Sequence, residues 1–156
     1  MEEIKRIREK LNEYISTVPQ QIKDKIRISS YAVGKYQSKV LFDSIGEAGS
    51  AFCNTGNFEV DCISLDEELR NEMPSFLKLD IEGAEADALE GAQNIIKTFK
   101  PIIAICVYHR PPDLWQIPLF LNQLNTDYIF FLRIHENDGF GTVVYAIPPD
   151  RLLSHE

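Results

Sequence analysis

Pro74-Ser75-Phe76-Leu77-Lys78-Leu79-Asp80-Ile81-Glu82-Gly83-Ala84-Glu85 is the stretch that decides the fold. Its apolar run, Phe76 to Ile81, has the length of one buried strand. The run delivers two carboxylates, Asp80 and Glu82, to its carboxyl end. Gly83 then breaks the strand, and a helix opens with Glu85 in its first turn. In open α/β sheets, ligands bind outside the carboxyl ends of the strands. A strand that ends in acids and turns straight into a helix therefore reads as the floor of a site.

Downstream, Ala84, Ala88, Leu89, Ala92, Ile95, Ile96 and Phe99 share one apolar face of a helix that Pro101 ends, with Lys97 and Lys100 at the negative end of its dipole. Ile102 to Tyr108 is almost continuously apolar, as a central parallel strand must be to bury both faces. It finishes in Tyr108-His109-Arg110, beside the acids of the preceding strand. Pro111-Pro112-Asp113 opens another helix, with Pro118 shifting its first turn. Tyr128 to His135 and Thr142 to Ile147 then form a hairpin around Glu136-Asn137-Asp138-Gly139-Phe140-Gly141.

Upstream, Ile4, Ile7, Leu11, Tyr14, Ile15 and Val18 recur at helical spacing until Pro19 stops the run. This pattern predicts a helix packed on a sheet; its mixed charges make a membrane-surface role the weaker reading. Ile26 to Val33, Ser38 to Phe42 and Phe58 to Ile63 read as strands. Between them, Ile45 to Asn57 is too rich in glycine for a regular element. Gly46-Glu47-Ala48-Gly49-Ser50 lacks the spacing and flanking elements of a phosphate loop. Ser64, with Glu67 three residues on, has the spacing of a capping box and starts a short helix.

The bulk numbers exclude several classes. The 156 residues suffice for one domain, taken as 1–156, with a real core. A net charge of −8 is wrong for a nucleic-acid surface, which needs clustered Lys and Arg. No apolar run approaches the roughly 20 residues of a membrane span, and the first residues lack the features of a signal peptide. Cys53, Cys62 and Cys106 show no metal-ligand spacing; reduced structural thiols in a cytoplasmic protein are the expectation.

With these elements in place, the chain resembles the FkbM-type methyltransferases. The matching words are Ser64-Leu65-Asp66-Glu67, Phe76 to Glu85, Leu89-Glu90-Gly91-Ala92, Pro101-Ile102, Tyr108-His109, Asp113 to Pro118, Leu132-Arg133 and Val144 to Pro148. The K-x-D-x-E-G-x-E word at Lys78 to Glu85 is the most specific of them. The resemblance implies a class I, Rossmann-like α/β methyltransferase fold with sheet order 3-2-1-4-5-7-6 and a C-terminal antiparallel hairpin. It also implies S-adenosylmethionine as donor and O-methyl transfer to a small-molecule acceptor, a sugar or natural product. The family's first strand with its D-x-G-x-x-x-G-like loop, and its second strand with the ribose-holding acid, have no counterpart in these residues. The chain thus resembles the C-terminal two-thirds of the domain, lacking the first two strands, and is expected to be inactive alone and to form a homodimer across the uncovered strand edge.

Methyl transfer needs an acceptor oxygen aligned with the methyl group and relieved of its proton. Asp80, Glu82 and His109 are predicted to converge on adjacent strand ends as a general base with its partners. The same groups are also ligand types for a divalent ion such as Mg²⁺. Glu85 reads more simply as an acid favouring a helix N-terminus, with Lys78 balancing Asp80. By resemblance, Tyr31 and Ala32, together with Asp80, are the cofactor contacts. Arg110 and Arg133 suit either an anionic acceptor or surface ion pairing, and His135 and His155 read as solvated. The competing function class is a non-catalytic remnant serving as an interaction module, and a third is a sugar or nucleotide binder without catalysis.

Overall fold

The computed structural model describes residues 2–42, 58–124, 127–137 and 139–152. Helix α1 (Glu2–Thr17) and the single turn α2 (Gln20–Lys23) come first, divided at Pro19. Strands β1 (Ala32–Val33), β2 (Ser38–Phe42) and β3 (Phe58–Ile63) follow, and then the short helix α3 (Leu65–Glu68). The second half runs β4 (Phe76–Leu79), α4 (Glu85–Glu90), α5 (Gln93–Phe99), β5 (Ile102–Cys106), α6 (Asp113–Gln123), β6 (Ile129–Ile134) and β7 (Thr142–Ile147).

The described strands form a three-stranded sheet, β1-β3-β2, and a four-stranded sheet, β4-β5-β7-β6. β4 and β5 are parallel, in register from Phe76 opposite Ile102 to Leu79 opposite Ile105, and α4 and α5 make the crossover. β7 is antiparallel to both β5 and β6, so the final hairpin inserts its last strand beside β5. This 4-5-7-6 order is one half of the expected sheet, and the architecture is the mixed α/β one that the residues predict.

Leu77, Leu79, Ile103 and Ile105 from the two parallel strands are buried against Leu89 and Ile96 of the crossover helices and Ile117 and Leu121 of α6. Burying each such side chain contributes about 1.5–3 kcal/mol relative to leaving it in water. The opposite face of β4 is different: Phe76 is 53% exposed, and Lys78 is exposed as well. Among the described residues β4 pairs with β5 alone, so its other edge is open.

Three expectations are corrected. The strand predicted over 26–33 shrinks to Ala32–Val33, because only Cys62 and Ile63 of β3 pair with it; Arg27 instead meets Glu72 at 2.8 Å. It belongs to the β1-β3-β2 sheet and does not pair with β4. Along α1 the expected stripe is only partly covered: Leu11 is 43% and Tyr14 67% exposed, while Ile15 and Val18 are half-buried. The glycine-rich stretch 45–57 lies outside the described residues, as do Cys53 and His155; Cys62 and Cys106 are buried free thiols.

The third correction is the long helix, which is two helices broken at Gly91-Ala92. Gly91 lies against Gly34, where a Cβ would overlap the Gly34 carbonyl oxygen. The Asp66 N–H donates to the Gly91 carbonyl at 2.8 Å, and the Asp66 carboxylate accepts from the N–H groups of Asn94 (3.0 Å) and Ile95 (2.9 Å). A side chain from α3 thus caps α5, satisfying donors that the break would orphan. Ser64 accepts from the Glu67 N–H at 3.3 Å as the capping box predicts, while the Glu67 carboxylate pairs with Arg70 at 3.1 Å. Asp66→Ala should cost about 1–2 kcal/mol of stability and Asp66→Asn clearly less; urea unfolding reads this directly, and an unchanged midpoint for Asp66→Ala would exclude the capping role.

Candidate active site

The turn after β4 is tight. Glu82 (φ 56°) and Gly83 (φ 93°) both sit in the left-handed region, and the Ala84 N–H closes the turn on the Ile81 carbonyl at 3.3 Å. Two positive φ values at the central positions are the type I′ pattern, which glycine adopts freely and glutamate at a cost of about 1–2 kcal/mol. The reversal brings Glu85, the first residue of α4, back beneath the end of the strand. Its Oε1 accepts the Ile81 N–H at 2.9 Å, and Glu85 is 0% exposed.

β5 delivers the partner. His109 lies past its carboxyl end, its side chain 8% exposed, with Nδ1 at 2.8 Å from the same Glu85 Oε1. An ionised Glu85 oxygen can only accept, so the pairing has Nδ1–H donating to Oε1. Nε2 is buried without a hydrogen-bond partner, 3.5 Å from Glu82 Oε2 and 3.7 Å from Asp80 Oδ1. The three predicted catalytic residues, Asp80, Glu82 and His109, are therefore brought together.

Asp80 sits among donors. Lys78 Nζ is 3.0 Å from Oδ2, and the Tyr108 hydroxyl donates to Oδ1 at 3.2 Å. Burial pushes its carboxyl up, but the Lys78 ammonium, the Cys106 thiol and the Tyr108 hydroxyl outweigh this and leave it below the ordinary carboxylate value. Conversely, burial and the neighbouring Asp80 carboxylate push the Cys106 thiol up to about 11 and the Tyr108 hydroxyl up to about 12. Both stay protonated, and Asp80 stays charged.

The sequence reading missed two residues. Glu85 does more than favour a helix end: it orients the histidine, and the buried 0% figure at a nominally polar helix position is the structural sign. Asp113, at the start of α6, is 3% exposed and leaves Oδ2 without a hydrogen-bond partner. Only the strand-helix topology, which packs α6 against the site, reveals it.

Other expected roles separate. Ala32 lies in β1, Tyr31 precedes it with 48% of its surface exposed, and no hydrogen bond or ion pair links either to Asp80 among the described residues. Their cofactor role rests on the resemblance. No group of three or more His, Cys, Asp or Glu side chains among the described residues is arranged to hold a metal ion. His135 is exposed, with Nε2 at 3.0 Å from the Tyr145 hydroxyl, and Arg133 lies over the Phe131 ring at 5.7 Å. No described helix is long and apolar enough to cross a membrane.

Burial and the Glu85 carboxylate raise the Asp113 carboxyl above its ordinary 3.8. The fold therefore favours neutral Asp113. Its contribution is fully present below pH 3.8 and is lost as pH rises through the raised folded value. Asp113→Asn removes that loss, so its melting temperature should exceed the wild type's at neutral pH, with the gap closing toward acid. A gap that does not change with pH would contradict the assignment.

Residues 6–140 match the sequence profile of the Methyltransferase FkbM domain. Among solved structures, the crystal structure of Methyltransferase FkbM from Methylobacillus flagellatus KT is similar, with a TM-score of 0.69 and 27% sequence identity over 90% of this chain. This chain spans 32% of the length of that one. No curated protein matches. A profile that covers most of the chain, together with a shared mixed α/β fold, establishes that the chain belongs to the FkbM methyltransferase family.

Proposed function

We propose that this domain serves S-adenosylmethionine-dependent O-methyl transfer to a hydroxyl of a sugar or natural product, with His109 as the general base. The observation that carries this reading is a buried imidazole whose Nδ1 is held by Glu85 at 2.8 Å while Nε2 has no hydrogen-bond partner. An acceptor hydroxyl placed against Nε2 transfers its proton there as its oxygen forms the new bond. The Asp80 and Glu82 carboxylates, 3.7 and 3.5 Å away, favour the imidazolium so formed. Glu85 holds the ring through Nδ1–H throughout, the role of a positioning residue.

When bound, the donor supplies an electrophilic methyl group on a sulfonium. The chemistry of the described residues suits part of that molecule. Asp80, held ionised and half-exposed, matches its positive charge, and the exposed Tyr31 ring beside Ala32 offers a face to adenine. The chain carries no D-x-G-x-x-x-G word, so the ribose and methionine contacts of the family are not assigned to any residue here.

A second reading concerns assembly and is favoured by the open edge of β4 with its exposed Phe76. Unpaired backbone groups beside an apolar side chain are a template for another strand, and we propose that a second copy of this chain occupies it as a homodimer. Sedimentation equilibrium should give a dimer that Phe76→Lys weakens. A clean monomer at all concentrations would rule it out.

For the chemistry, His109→Ala and Asp80→Asn should each lower methyl transfer at least about tenfold in a family member carrying the whole domain, with unfolding midpoints little changed. Turnover unchanged in both variants would remove them from the mechanism.

A further inference from the structure

A cavity of about 520 Å³ opens between the β1-β3-β2 sheet and the start of α4, with Gly34, Ser38, Cys62, Asp87 and Arg110 in its lining. Lys35 and Lys39 also line it, but each is already neutralised, Lys35 by Glu90 and Lys39 by Glu59. Arg110 differs. Among the described residues its guanidinium makes no ion pair or hydrogen bond, with Asp87 of the same lining or with any other group, although its charge acts on the buried Asp113 carboxyl. Surface ion pairing, one of the two explanations the sequence leaves open for this arginine, is therefore absent.

The guanidinium is also placed. Arg110 lies on the backbone of Gly83, where a Cβ would come within 2.9 Å of Nε and 3.5 Å of Cγ. The glycine that makes the turn after β4 thus also makes room for the arginine stem. Arg110 follows His109 directly in the chain, so a ligand anchored on it is held at the same strand end as the imidazole. A chain of net charge −8 repels anions in general, so holding one here requires a specific cation.

We propose that Arg110 anchors an acceptor bearing an anionic oxygen group, a carboxylate or phosphate as in an acidic or phosphorylated sugar, in this cavity. Planar guanidinium donors fit such a group in a bidentate, charge-assisted pair. The assignment rests on the methyl-transfer reading for the identity of the ligand as acceptor, and not for the binding itself. The methyl donor also carries a carboxylate, and the test separates the two.

¹⁵N-labelled protein is titrated with glucuronate, glucose and S-adenosylmethionine. Glucuronate should shift the Arg110 Nε–H and the Gly34 and Ser38 amides saturably, and glucose should not. Arg110→Gln should weaken glucuronate about tenfold, the loss of a charge-assisted pair, with Arg110→Lys intermediate and both variants melting like the wild type. The proposal is overturned if glucuronate gives no saturable shift, if glucose shifts the same amides equally, or if Arg110→Gln binds unchanged. It is equally overturned if S-adenosylmethionine displaces glucuronate from those amides, since Arg110 then holds the donor. Failure of methyl transfer in the His109 variants' parent enzyme would leave these binding results intact, so the two readings fail separately.

Discussion

One oxygen ties the second half of the molecule together. Glu85 Oε1 accepts from the backbone of Ile81, just past β4, and from the imidazole of His109, past β5. A fully buried carboxylate is costly unless its charge is met by donors. Here the donors to Oε1 come from two neighbouring parallel strands, which ties the strand ends to each other, while Oε2 is buried with no hydrogen-bond partner. Removing either partner leaves a buried charge underserved, at a cost of several kcal/mol.

The same constraint accounts for the backbone strain beside it. Only a reversal within a few residues lets Glu85 fold back under Ile81, and that reversal puts Glu82 into the left-handed region before Gly83. Such strain persists where surrounding contacts over-determine the chain. It aims the Glu82 carboxylate toward His109 Nε2 and lays Gly83 bare for the Arg110 stem. Sequence, turn and site are here one arrangement: the word from Lys78 to Glu85 sets an exposed acid, a strained acid, a glycine and a buried acid in order around one histidine.

Much of this was readable from the residues. Two apolar runs separated by a helical pattern lead to parallel β4 and β5, and a closing hairpin leads to β6 and β7, because burial on both faces and alternation are local signals. The convergence of Asp80, Glu82 and His109 followed from strand-end position alone. What escaped were features set by distant partners. The break at Gly91 depends on Gly34 and Asp66, more than twenty residues away, and helical periodicity runs through it unmarked. The 26–33 segment has strand-like residues but no neighbour to pair with beyond Ala32 and Val33, and a strand is defined by its neighbour. Glu85 looked like a capping acid because its burial is decided by packing, and Asp113 read only as an acid opening a helix for the same reason.

The central claim is that Glu85 holds His109 as the Nδ1–H tautomer with Nε2 free to take a proton. The ¹⁵N and ¹³C chemical shifts of the His109 ring report the tautomer directly. At a pH where the ring is neutral, the shifts should show Nδ1 protonated and Nε2 bare, and Glu85→Gln should erase that preference while Asp80→Asn does not. A ring found protonated at Nε2, or one whose tautomer is indifferent to Glu85, would contradict the account.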